Sequence, residues 1–169
     1  TLATWQLVQI NLNDAMYKVS DLKIRFRLSS DGSYQGDGWY IDDLEIKEKD
    51  TPNTISLPFT DNFENGLGNW IASGQDWAVT TDTFRGGSSS VTDSPSGNYL
   101  DNTNASLILA GSIDLSASTS PVLTFWHKIS LAYNYYHPND YAYLDFSTDG
   151  GFTWSNVKSW GPGTITTWQ

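Results

Sequence analysis

The residues with most to offer chemically in this sequence are its carboxylates. Nineteen Asp and Glu stand against nine Lys and Arg. Asp31, Asp37, Asp42, Asp43, Asp61, Glu64 and Asp93 fall in loops or at predicted strand ends, where backbone carbonyls can join them around a cation. Hard oxygen donors interleaved with Gly and Asn suit Ca²⁺ better than any other partner class. No EF-hand loop is present, so composition points to calcium while spacing specifies no shell. An acid surplus that serves only solubility reads equally well from the same residues.

Catalytic arrangements do not occur at recognisable spacing. Glycoside hydrolysis needs two opposed carboxyl groups, but the only glutamates are Glu45, Glu48 and Glu64, and no acid/base motif frames any acidic residue. A Ser–His–acid hydrolase would have to use His127 or His137, and there is no G-x-S-x-G turn. His127 lies within Leu123-Thr124-Phe125-Trp126-His127, which predicts a residue on a sheet face. With no cysteine, thiol catalysis, zinc knuckles and disulfides are excluded together. The reading is of a non-enzymatic chain.

Two other clusters carry a physical message. Ser147-Thr148-Asp149-Gly150-Gly151-Phe152-Thr153-Trp154 fits the Asp-box pattern S-x-D-x-G-x-T-W. Its logic is structural: a tight hairpin leaves amides unpaired and needs positive φ, so Asp149 supplies the acceptor, Gly151 the conformation and Trp154 the packing. Tyr133, Tyr135, Tyr136, His137 and Tyr141 crowd a loop broken by Pro138. Such rings can stack on a sugar or press against another protein; a loop folding back on its own aromatics is the equal alternative.

These side chains must be positioned by strands. The apolar residues are Val, Ile, Leu and aromatics in short runs, separated by Gly, Ser, Thr, Asn and Asp, which is the composition of many strands joined by turns. At 169 residues the chain fits one domain and can bury a core without staples. The formal charge of −10 repels phosphate backbones, so neither nucleic acid nor an anionic membrane is an expected partner. No stretch approaches the length of a membrane span, which argues against membrane insertion.

Periodicity predicts strands near Trp5–Leu12, Lys23–Leu28, Trp39–Ile46, Leu57–Phe63, Trp77–Thr83, Ala105–Leu109, Val122–Ser130, Tyr141–Ser147, Ser155–Trp160 and Ile165–Gln169. Lys23-Ile24-Arg25-Phe26-Arg27-Leu28 alternates strictly, with Ile24, Phe26 and Leu28 on one face and three cations on the other. Tyr141 to Phe146 does the same. One wet and one dry face per strand mean an all-β, two-sheet antiparallel sandwich.

The two ends of the chain repeat each other. Thr1-Leu2-Ala3-Thr4-Trp5-Gln6 matches Thr164-Ile165-Thr166-Thr167-Trp168-Gln169 at four of six positions, 163 residues apart. A tandem-repeat array sampled from partway through one unit leaves such an echo. Lys47 to Thr54 is a charged, Pro-bearing stretch of the kind that joins domains. The expected organisation is therefore 1–49 as the C-terminal strands of one repeat, 50–54 as linker, and 55–169 as the N-terminal two-thirds of the next.

Several motifs together resemble a known family. They are Asp61-Asn62-Phe63-Glu64-Asn65-Gly66, Thr92-Asp93-Ser94-Pro95-Ser96-Gly97-Asn98-Tyr99, Ile113-Asp114-Leu115-Ser116, Leu123 to His127, the Asp box, and Asp37-Gly38-Trp39-Tyr40-Ile41-Asp42-Asp43. The chain resembles the MAM-like jelly-roll modules found beside immune inhibitor A-type secreted metallopeptidases and in large bacterial and archaeal surface proteins. In that family the D-G-W-Y-I-D-D motif closes the fold, whereas here it precedes F-E-N-G, so the order is circularly shifted.

The resemblance implies a jelly roll with structural Ca²⁺ between Glu64 and the pair Asp42 and Asp43, with Asp61 and Asp93 as further ligands. It implies an extracellular or cell-surface location and no catalytic residue, the peptidase motif H-E-x-x-H being absent. The functional expectation is a calcium-stabilised structural module assembling head to tail with neighbouring copies or repeats. A carbohydrate-binding or adhesion module, using the tyrosine loop on a glycan, is the alternative.

Overall fold

Every long strand of this chain has one face it must hide, and two such sets of strands hide their faces against each other. A computed structural model describes residues 4–48, 59–74, 77–132, 135 and 139–164. Among them are twelve strands: β1 (Gln6–Asn11), β2 (Lys23–Ser29), β3 (Gly38–Glu48), β4 (Phe59–Asp61), β5 (Trp70–Ser73), β6 (Ala78–Thr80), β7 (Ser90–Thr92), β8 (Asn104–Leu109), β9 (Pro121–Leu131), β10 (Tyr141–Ser147), β11 (Ser155–Trp160) and β12 (Gly163–Thr164). The one helical element among the described residues is a 3₁₀ turn at Ala15–Tyr17.

The strands form two antiparallel sheets. The first runs β1-β9-β3-β7-β6, with β4 also on β3 and β12 also on β9; the second runs β11-β10-β2-β8-β5. The expected two-sheet antiparallel sandwich is thus what the chain forms. Between the sheets lie Ile24, Phe26 and Leu28 from β2, Leu107 from β8 and Leu144 from β10, facing Trp39 and Ile41 from β3 and Leu123 and Phe125 from β9, all fully buried. Phe26 joins the layers, edge-on to Trp39 at 5.5 Å and to Phe125 at 5.3 Å. Burying each such side chain contributes about 1.5–3 kcal/mol.

On the outer face of the second sheet the cations of β2 are paired. Arg25 and Arg27 donate to Asp145 Oδ2 at 3.0 and 3.2 Å. Their guanidinium groups also lie over the rings of Trp154 and Tyr143. Asp145 is buried beneath them, so a face that alternation alone marks as wet is a covered ion-pair layer.

Three strands exceed the sequence expectation: β5, β7 and β12. All are two to four residues long and carry little or no alternation, β7 being buried at all three positions. They exist because a longer neighbour offers a ladder. The linker at 50–54 and the strand expected at 165–169 lie outside the described residues.

The opening strands are interleaved with the later ones. β1 pairs with β9, β2 lies between β10 and β8, and β3 lies between β9 on one side and β7 and β4 on the other. Among the described residues, then, β1–β3 pair with later strands and never with one another. We call β1–β3 the head and β4–β12 the body.

Candidate functional site

The alternation of β3 slips in the middle, and the slip builds the site. Trp39 and Ile41 face the core, and so do Leu44 and Ile46, which is possible only if one extra residue stands between. The ladder to β9 shows it: Asp42 is opposite Trp126 and Glu45 opposite Thr124, with a register shift between. Asp43 takes the positive φ, 49°, that such a bulge needs and Asp tolerates.

Asp42 is turned inward by this bulge and is fully buried. Its Oδ1 accepts from the Asp43 amide at 2.8 Å, and its Oδ2 from the amides of Arg85 and Gly86 at 2.7 and 3.4 Å. Burial pushes its carboxyl up to about 6, a shift that those amides restrain. Glu64, in the turn after β4, takes the other end of the same loop. Its Oε2 accepts from the Ser88 hydroxyl at 2.6 Å, and its Oε1 from the amides of Ser88 and Ser89 at 2.9 and 2.8 Å. The Ser88 hydroxyl first, then the amides, hold Glu64 below the usual carboxylate range.

Residues 85–89 fit here because of two glycines. A Cβ on Gly86 would stand 3.3 Å from Asp43 Oδ2, and one on Gly87 would collide with Glu64 Oε1. Three carboxylates from two separate turns therefore close on one glycine-bearing loop. Asp42, Asp43 and Glu64 match calcium in donor type and in convergence. The other two expected ligands do not join them. Asp61 accepts from the Phe63 amide, Asn69 and the Trp70 indole at 2.9–3.1 Å, fastening the turn in which Phe63 adopts φ 57°. Asp93 accepts from the Trp39 amide at 2.5 Å, and burial pushes it up to about 7. Among the described residues no three His, Cys, Asp or Glu side chains are grouped so as to hold a metal ion.

Beside Asp43 opens a groove of about 730 Å³ on the outer face of the first sheet. Leu7 and Gln9 of β1, Thr124 and Trp126 of β9, and Glu45 of β3 line it. Arg85 stacks on Trp126, 4.5 Å from its ring centroid, so the loop that meets the carboxylates also reaches the groove. Sequence reasoning missed this groove. Outward-facing Thr124 and Trp126 follow from the alternation of β9, but which strands flank them is decided by long-range pairing.

The remaining candidates are spread over the molecule. Tyr133, Tyr136 and His137 lie outside the described residues, and Tyr135 is 79% exposed. The base of their loop is tied down: Tyr99 donates to Asp140 Oδ2 at 2.5 Å and accepts from the Ala132 amide at 2.9 Å. Burial, together with that carboxylate, raises Tyr99 well above the usual phenol range. In the Asp box, Asp149 accepts from the Thr153 hydroxyl and amide at 2.5 and 2.9 Å and from the Ser147 hydroxyl at 2.7 Å. These bonds hold its carboxyl down at about 2. Trp154 donates to the Gly151 carbonyl at 3.1 Å, closing the hairpin.

No protein-family model, curated protein or solved structure matches the chain. The MAM-like resemblance rests on its motifs.

His127 needs correction. It does not sit on an outer sheet face but between the sheets, fully buried, with Nδ1 accepting from the Trp39 indole at 3.1 Å. Its ring centroid is 4.9 Å from that of Trp160. Burial, aided by the charge of Lys158, pushes it down to about 3. The Nδ1 acceptor fixes a neutral imidazole protonated at Nε2, so His127 is a packed core residue.

Proposed function

We propose that this chain is a non-enzymatic structural module of an extracellular or cell-surface tandem-repeat protein or fibre, assembling head to tail with neighbouring copies or repeats. The observation that carries the reading is the interleaving of head and body. Every strand of the head is paired only to the body, in both sheets. Without its head the body would have open edges on β9 and β3's neighbours β7 and β4, and a gap between β10 and β8. Such edges demand completion by another strand-bearing segment. The head completes the sandwich within this chain, and a neighbour's head offers the same edges. The finer jelly-roll assignment belongs to this reading.

Calcium is its second part. Asp42, Asp43 and Glu64 would hold the ion against the loop at residues 85–89, where it would tie the bulge in the head to the turn after β4 in the body. The metal's role would be to stiffen the head–body contact.

Thermal melting with light scattering, in calcium and then in chelator, tests both parts. Saturating calcium is expected to raise Tm by roughly 5–10 °C and to drive growth in scattering mass. A calcium-indifferent monomer at every concentration would overturn the proposal.

The groove favours one other reading, a glycan-binding or adhesion module. An indole flanked by hydroxyl, amide and carboxylate groups is a fair lining for a sugar. That reading requires a monomer whose saturable binding of a neutral oligosaccharide is lost in Trp126→Ala.

A further inference from the structure

We propose that the outer edge of β9 is a docking lane for the head of a second copy of this chain, with β12 of one copy running on into β1 of the other. This deepens the head-to-tail reading and rests on it.

Both β1 and β12 lie antiparallel to β9. β1 faces Val122 to His127, and β12 faces Ser130 and Leu131. β3 holds the opposite edge of β9 along its length, Ser130 included, so β1 and β12 share the one edge that remains. They run in the same direction along it. Thr164 stands opposite Ser130 and Gln6 opposite His127, which leaves the two places facing Ile129 and Lys128. Thr4 and Trp5 fill those two places with no residue over and none missing. A strand that reads Gly163, Thr164, Thr4, Trp5, Gln6 is therefore continuous in register.

The sequence says the same thing by a separate route. The residues that follow Thr164 in the chain end in Thr167-Trp168-Gln169, repeating Thr4-Trp5-Gln6. Carried on at the register of β12, Trp168 would fall opposite Trp126, whereas Trp5 falls opposite Lys128. The difference is two positions, and an even step keeps both indoles on the same face of the sheet. What the chain places after β12 is thus another β1 in sequence, aimed along the lane that β1 occupies.

A head seated in its own body and a head seated in a neighbour's body make identical contacts, as in any exchange of an element between copies. Only the connection through residues 49–58 distinguishes them. A short flexible tether supplies an effective concentration on the order of millimolar. Exchange between copies is therefore expected at millimolar protein, and at any bulk concentration where copies are held next to one another.

The test uses the absence of cysteine from the chain. Gln9 and Thr124 stand opposite each other across β1 and β9, and both line the groove. Gln9→Cys and Thr124→Cys are made in separate full-length copies, which are mixed in denaturant, refolded and mildly oxidised. The double variant in one chain is the control. Expected are an intrachain disulfide in the double variant and, in the mixture, a covalent dimer increasing about tenfold between 0.1 and 1 mM. A disulfide in the double variant with none in the mixture would overturn the proposal. Polymers detected by scattering without that inter-copy bond would leave the head-to-tail reading standing and remove only the lane. Failure of the double variant to cross-link would overturn the lane as well, since β1 would not hold that register.

Discussion

Burial moves the protons of Asp93 and His127 in opposite directions, and the two groups sit on the same tryptophan. Asp93 accepts from the Trp39 amide and His127 from the Trp39 indole. The Asp93 carboxyl, pushed up to about 7, binds its proton more tightly folded than unfolded. Its contribution to stability is fully present below about pH 4 and is lost as pH rises through 7. His127, pushed down to about 3, contributes stability that is present above about pH 6.5 and lost as pH falls toward 3. Asp93→Asn keeps an acceptor for the Trp39 amide and removes the charge. Urea melts are expected to show the variant roughly 1–3 kcal/mol more stable than the parent at pH 9 and about equal to it at pH 5. The same difference at both pH values would mean that Asp93 titrates as an ordinary carboxylate. Nothing in the sequence separates Asp93 from the other loop carboxylates, because burial belongs to the fold. Residue type and motif alone place it among the calcium ligands, whereas the structure engages it with a backbone amide.

The bulge in β3 and the glycine loop against it are where local sequence and tertiary structure meet. Gly87 has φ 67°, and a Cβ there would collide with the Glu64 carboxylate. Gly87→Ala thus adds a backbone penalty of about 1–2 kcal/mol to a displaced Glu64, and Tm is expected to fall by roughly 4–10 °C. In a Glu64→Ala background the collision disappears and the fall should shrink to the backbone part alone, giving a non-additive cycle. Additive effects would place Glu64 away from the loop. Part of this is legible in the sequence. The core-facing series Trp39, Ile41, Leu44, Ile46 changes phase between Ile41 and Leu44, so the hydrophobic pattern carries the bulge. β10 and β11 lie at Tyr141–Ser147 and Ser155–Trp160, where alternation and turn residues put them. β5 and β7 are not legible, since strands so short are made by their neighbours. The groove beside Trp126 is hidden for the same reason: its walls come from β1, β3 and β9, distant in sequence and joined only by register.

At the scale of the molecule, the head and body form a single sandwich in which chain order and spatial order disagree. The strand that lies next along the lane after β12 is β1, from the other end of the chain. The place where the chain does connect, residues 49–58, bridges two ends that are already side by side, Ile46 standing opposite Phe59 in the β3–β4 ladder. Chain ends that lie close together tolerate being joined or opened. A permuted chain can therefore run Phe59–Thr164 and then directly Thr4–Glu48. It omits residues 49–58 and lays β12 and β1 down as one strand. Every ladder of the parent is kept, and the new ends fall at paired strand termini. The permutant is expected to fold to a monomer with Tm within about 5 °C of the parent and, its head now following β12 in the same chain, to give no inter-copy cross-link with the Gln9→Cys and Thr124→Cys pair. A permutant that fails to fold would show that β12 and β1 are not in line on β9. One that folds but still exchanges its head would place the joint between copies at an edge other than β9, with β11, on the rim of the second sheet and mostly exposed, the next edge to test.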